Sequence, residues 1–157
     1  MKTEIWQTTN QQPWVEALAS GLITVKTRTS EPVVPVGATV LLHASKSRVW
    51  PWFKQLKWTK GMDPKKWARG QVVAVAEVAA VGPAESVMTN KEAEFWNVYN
   101  PDGTLWYNSV ADWAVRFKNI RRLKHPVEVK GMLAPFARAK DDTVKEIEKK
   151  NPGIFSR

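Results

Sequence analysis

The chain has 157 residues, 43% apolar and 25% charged, enough for one domain with a real core and incompatible with wholesale disorder. It carries 24 Lys and Arg against 15 Asp and Glu, a formal charge of +9, with nine Trp and no Cys, which excludes a disulfide framework, a thiolate metal site and a cysteine nucleophile. No run approaches the ~20 apolar residues of a membrane span and the first residues lack the apolar stretch of a signal peptide, so a cytoplasmic protein without membrane contact is expected.

Pro13 to Gly21 predicts a short helix, with Pro in its first turn and Gly just past its end. Leu22 to Thr29 predicts a strand in which Ile23, Val25 and Thr27 alternate with Thr24, Lys26 and Arg28. After a connector with two prolines, Ala38 to Ala44 is an apolar run of strand length. Residues 47–57 predict a helix that starts near Pro51, and Lys60 to Pro64 ends it. Val72 to Val81 is continuously hydrophobic, as expected of a strand buried on both faces, with Glu77 the odd residue in it. Residues 91–99 predict a short helix and Asn100-Pro101-Asp102-Gly103 a turn. Ser109 to Arg122 predicts a strand in which Trp113, Val115 and Phe117 alternate with Ala114, Arg116 and Lys118. Asp141 to Lys150 predicts a closing helix, capped by Asp141 or Asp142 and loosely docked because its face is mostly polar. Several strands joined by short helices, without regular β-α alternation, predict an α+β domain built on a small mixed or antiparallel barrel.

The positive charge is segregated. Residues 46–69 hold Lys46, Arg48, Lys54, Lys57, Lys60, Lys65, Lys66 and Arg69 against Asp63 alone, net +7. Residues 116–130 hold Arg116, Lys118, Arg121, Arg122, Lys124 and Lys130 against Glu128, net +5. Between them, residues 70–115 set Lys91 against six carboxylates, net −5. The first basic segment also carries Trp50, Trp52, Phe53, Trp58 and Trp67. Cations interleaved with flat rings suit single-stranded nucleic acid, whose phosphates take the charge while its bases stack; rings at helical spacing equally suit a buried stripe.

Dinucleotide, nucleotide-triphosphate, zincin and hydrolase-elbow signatures are absent. Glu92 and Glu94 are two apart, do not face each other on a helix, and are expected to be solvated. His43 lies in an apolar strand and is either a satisfied core histidine or a general base. His125 is expected in a loop.

The order of Gln12-Pro13-Trp14 on a helix, Gly21 with Arg28 seven residues on, and a strand ending in His43-Ala44-Ser45-Lys46 resembles the ASCH domain family. The Val72–Glu77 strand, the aromatic region Trp96 to Tyr107 and the Trp113 strand leading to Gly131 extend the resemblance to residues 4–135. It implies a PUA-like β-barrel with helices beside it over residues 1–138, and leaves residues 139–157 as a C-terminal helical extension. The family signature G-x-K-x-x-E-x-R is degenerate here: Gly21 and Arg28 match, whereas Ile23 stands at the Lys and Lys26 at the Glu. Relatives similar to acetylcytidine amidohydrolases use that Lys, and Ile23 has no amine, so this chemistry is not expected. The resemblance implies RNA or modified-nucleoside binding in a cleft between barrel and helix, and ribonuclease or hydrolase activity as the alternative.

Thr24, Lys26 and Arg28 would form a row of about 13 Å on one face of their strand. Arg28 either binds a phosphate bidentately or pairs with an acid such as Glu77. Lys in place of Glu makes the site cationic and removes a candidate base. The candidate ligand-binding residues are therefore Trp14, Thr24, Lys26, Arg28, Ser45, Lys46 and Arg48. Lys46 is also the candidate catalytic residue, as a stabiliser of a pentavalent phosphate. The expected partner is RNA or another single strand, with no cofactor and no metal-ligand residues expected and dependence on a divalent metal left open.

Overall fold

A computed structural model describes residues 4–47, 49–132 and 134–156. Six strands form one mixed sheet, and a two-stranded hairpin stands beside it. In chain order the large sheet contains β1 (Ile5–Asn10), β2 (Val25–Arg28), β3 (Thr39–Ala44), β4 (Gln71–Pro83), β7 (Trp113–Glu128) and β8 (Ala137–Arg138). The hairpin is β5 (Asn97–Tyr99) with β6 (Leu105–Asn108). Across the sheet the order is β2-β7-β4-β3-β1-β8, and the sheet curls into a half-barrel. The architecture is the predicted α+β, PUA-like one.

The curl originates in the long antiparallel pair β4–β7. Its register shifts at three places, between Val72 and Ala74, Val75 and Glu77, and Val78 and Ala80. Each extra residue raises local twist and bends the strand. The continuous hydrophobic run of β4 is buried on both faces, as its composition predicts. Val73, Ala76 and Val78 join the main core inside the curl, while Val72 and Val75 join a second cluster outside it.

Helix α1 (Trp14–Ala19) closes the inner core with Val15, Ala17 and Leu18. Gln12 holds its start: Glu16 N donates to Gln12 Oε1 at 2.8 Å, and Gln12 Nε2 donates to the Ala68 carbonyl at 3.0 Å. Gly21 ends it at φ +77, a left-handed conformation that side chains other than Gly adopt at a cost. Two four-residue helices, α2 (Ala84–Val87) and α3 (Asn90–Ala93), follow β4.

Helix α4 (Asp141–Lys150) spans the residues predicted, yet it is firmly docked. Ile147 is fully buried on the outer face of the sheet with Leu41, Val72, Val75, Leu123 and Val127. Asn151 adds a two-bond clamp, donating from Nδ2 to the His125 carbonyl and accepting the His125 N–H at Oδ1, each at 2.9 Å. One apolar side chain and one amide thus anchor a helix whose composition is otherwise polar. His125 accordingly lies on β7 and not in a loop.

Other local expectations change. The predicted helix at 47–57 is replaced by 3-10 turns at Phe53–Gln55 and Lys57–Thr59, parted by Leu56, whose backbone is extended at φ −90 and ψ 129. Residues 91–99 divide into the end of α3, a 3-10 turn at Glu94–Trp96, and β5. Glu92 is not simply solvated: it closes a capping box with Thr89 and forms a two-pronged ion pair with Arg116 at 2.7 and 2.9 Å.

Candidate nucleic-acid interface

The inward face of β2 and the end of α1 form the floor of an open cleft of about 570 Å³. Its lining includes Trp14, Lys26, Arg28, Trp50, Tyr107 and Asn108. Among the described residues no carboxylate lines it. Strand alternation places Lys26 and Arg28, both half-buried, on one side of β2, alternating with the buried Val25 and Thr27.

Trp14 is the centre of an aromatic cluster. Its ring stacks on Trp96 at 5.0 Å and 16°, and Trp50 and Trp58 approach it at 5.5 and 5.4 Å. Trp58 is fixed by donating its indole N–H to the Phe95 carbonyl at 2.8 Å. These rings are core as well as cleft wall: Trp14 is only 3% exposed, whereas Trp50 is half-buried. Lys26 Nζ stands 5.2 Å from the Trp14 ring centroid, a cation–π contact, and donates to the Thr27 carbonyl at 3.2 Å. Burial, and secondarily the Arg28 charge, pulls the Lys26 ammonium down to about 7.

Arg28 does not pair with Glu77, which instead accepts from Asn119 Nδ2 at 3.0 Å. Arg28 Nη2 donates to Thr8 Oγ1 and Asn10 Oδ1, each at 2.7 Å, and its guanidinium lies 5.5 Å from the Phe136 ring centroid. These partners are neutral, so its charge is not cancelled, and burial lowers its pKa to about 10. Arg28 Nε and Asn10 Nδ2 have no acceptor among the described residues. This end of the cleft therefore carries hydrogen-bond donors that no acceptor among the described residues satisfies.

Only part of the predicted residue set converges here. Trp14, Lys26 and Arg28 line the cleft. Thr24 is directed to Arg116, whose Nη1 donates to its hydroxyl at 3.2 Å, and it lines a separate small cavity of about 80 Å³. Ser45 and Lys46 follow β3 outside the cleft lining. Ser45 Oγ bonds to Ser47 Oγ at 2.9 Å, and exposed Lys46 lies along Gly70 with its carbonyl accepting from Arg69 Nη2 at 2.7 Å. Arg48 lies outside the described residues. His43 is a satisfied core histidine: Nε2 donates to the Val129 carbonyl at 2.6 Å, leaving Nδ1 to accept from Thr9 Oγ1 at 3.1 Å. Burial pushes its pKa down.

The residues that sequence reasoning missed are Thr8 and Asn10, which orient Arg28, and Tyr107 and Asn108 on the opposite wall. The first two sit on β1, whose sequence Ile-Trp-Gln-Thr-Thr-Asn has polar residues at buried positions and so carries no strand periodicity. Tyr107 closes the aromatic region, Trp96 to Tyr107, that the resemblance marked without assigning it, and Asn108 lies just beyond it.

No protein-family model and no curated protein matches the chain. Solved structures do. A crystal structure of ASCH from Zymomonas mobilis matches over 93% of this chain and 94% of that one, with a TM-score of 0.53 and 10% identity. Two of its point mutants, serine to alanine and tyrosine to phenylalanine, give the same TM-score of 0.53 at 11% and 10% identity, covering 95% and 97% of those chains. The fold is thus of the ASCH type.

Proposed function

We propose that this ASCH-type domain binds RNA or another single strand, with backbone phosphate drawn to Lys26 and Arg28 and a base laid against Trp50 and Tyr107. The observation that supports the reading is the pairing of Arg28, whose partners are neutral, and Lys26, charged below about pH 7, with aromatic walls in a cleft whose described lining contains no acid. Hydroxyl and amide groups would leave such a cleft neutral, and a structural Arg would have brought a carboxylate with it. Lys26 sits where the family signature has Glu, which removes a negative charge from this cleft and, below about pH 7, adds a positive one.

The test is anisotropy of a labelled octanucleotide of uridylate across a salt series. Log affinity falls linearly with log salt, and Lys26→Met lowers the slope by about one phosphate contact. A salt-independent response in the wild type overturns the reading.

A further inference from the structure

Every residue of β6 faces solvent, although the strand reads Leu-Trp-Tyr-Asn. Leu105 is 54% exposed, Trp106 48% and Tyr107 36%. The hairpin holds itself to the domain through β5, where Val98 is fully buried, and through Asn108, which donates to the Ala93 carbonyl at 2.9 Å. Folding therefore gives no reason for large rings on β6, because such side chains stabilise by leaving water.

These rings form a row that leaves the cleft. Tyr107 lines the cleft; Trp106 meets it edge to face at 4.8 Å; Trp52, 41% exposed, meets Trp106 edge to face at 5.2 Å and 80°. In an edge-to-face pair one ring keeps both faces clear of its partner, so a flat group can stack there. Phe53, next to Trp52, begins a second groove of about 740 Å³ lined also by Lys54, Lys57, Lys60 and Tyr99. Lys57 Nζ lies 4.0 Å from the Tyr99 ring centroid. No carboxylate is among the described lining residues. Two carboxylates adjoin the lining and are turned to the backbone: Asp63 Oδ1 accepts from Lys65 N at 3.0 Å and Asp102 Oδ1 from Thr104 N at 2.9 Å.

We infer that the Trp52–Trp106 pair is a second base-stacking subsite and that the lysine-lined groove beyond it takes the phosphates that follow, so the ligand is an oligonucleotide strand and not a mononucleotide. This rests on the proposed reading of the cleft and gives it a direction. Rings alone would suit an apolar protein face, but alternation of rings with three lysines, which outnumber the adjoining Asp63 and Asp102, is complementary to a polyanion of stacked bases.

The experiment compares the uridylate dinucleotide with the octanucleotide on the full chain, as wild type, Trp52→Ala, Trp106→Ala and Trp106→Tyr. Both alanine variants lose about tenfold in octamer affinity, keep their dinucleotide affinity, and Trp106→Tyr recovers most of the loss. Their melting temperatures stay near that of the wild type because both positions are exposed. Octamer affinity unchanged in both alanine variants overturns the inference and leaves the cleft reading standing. A wild type that binds neither probe overturns both. Light scattering at the same concentrations identifies the remaining occupant: a wild-type dimer that Trp106→Ala dissociates makes this face a contact between copies and also overturns the inference.

Discussion

Lys26 Nζ lies 5.2 Å above the Trp14 ring, and that ring is itself held on its other sides by Trp50, Trp58 and Trp96. The ammonium is thus fixed over an aromatic floor next to a second cation, Arg28, and its pKa falls to about 7. An unfolded lysine titrates at 10.5. Between these values the unfolded chain binds the extra proton, so the Lys26 contribution to stability rises with pH from about 7 upward. Below pH 7 both states are charged and the cost of burying the ammonium is felt in full.

Lys26→Met is therefore expected to be more stable than the wild type near pH 6, by about 1–2 kcal/mol, with the gap closing toward pH 10. Urea unfolding at a series of pH values measures it. A constant gap contradicts the assignment.

The same proton governs binding. A phosphate favours the charged amine, so octanucleotide affinity is highest below pH 7 and declines as pH rises through that value. In Lys26→Met this pH step disappears. Anisotropy titrations between pH 6 and 9 separate the two proteins.

Arg28 can be neutralised without being removed. Asn10 Oδ1 already accepts from Arg28 Nη2 at 2.7 Å, so Asn10→Asp places a carboxylate in the same contact. The fold is expected to persist, while single-strand affinity falls about tenfold because the uncompensated charge is gone. Calorimetric melting and anisotropy together show whether these two effects part company.

Glu92 offers a test away from the cleft. The hydrogen bond from Arg116 holds its carboxyl down to about 2, below the ordinary 4.5. Glu92→Gln retains the capping box but not the ion pair, and is expected to cost about 1 kcal/mol at pH 7, since the pair is half-exposed. The contribution is present above pH 4.5 and lost as pH falls toward 2, so the variant and wild type converge in acid. Single-strand affinity is unchanged at pH 7.

Ile147→Ala is expected to destabilise the chain by about 2–4 kcal/mol through the cavity it opens between α4 and the sheet. Equilibrium unfolding reads the loss directly.

Two strands were legible: alternation gave β2 its facing of Lys26 and Arg28, and the continuous apolar run gave β4 burial on both faces. What escaped was structure held by polar atoms. The polar side chains of buried β1 reach distant partners: Gln7 donates to the Lys130 carbonyl, Thr8 to the Pro135 carbonyl, and Asn10 accepts from Arg28, 18 to 127 residues away. No local pattern encodes such distances. Lys46 shows the opposite case: it follows a strand end, as functional side chains often do, yet the chain leaves β3 away from the cleft.

β1 is parallel to β3 on one side and paired with Ala137–Arg138 on the other, and its polar side chains await residues 130 and 135. During synthesis those residues leave the ribosome more than a hundred positions after β1 itself. Until then the strand lacks an edge partner and Thr8 lacks its acceptor, so Arg28 has no finished surface on which to anchor. The bonds that seat Gln7 and Thr8 therefore close only once residues 130 and 135 have been made, long after the strand that carries them.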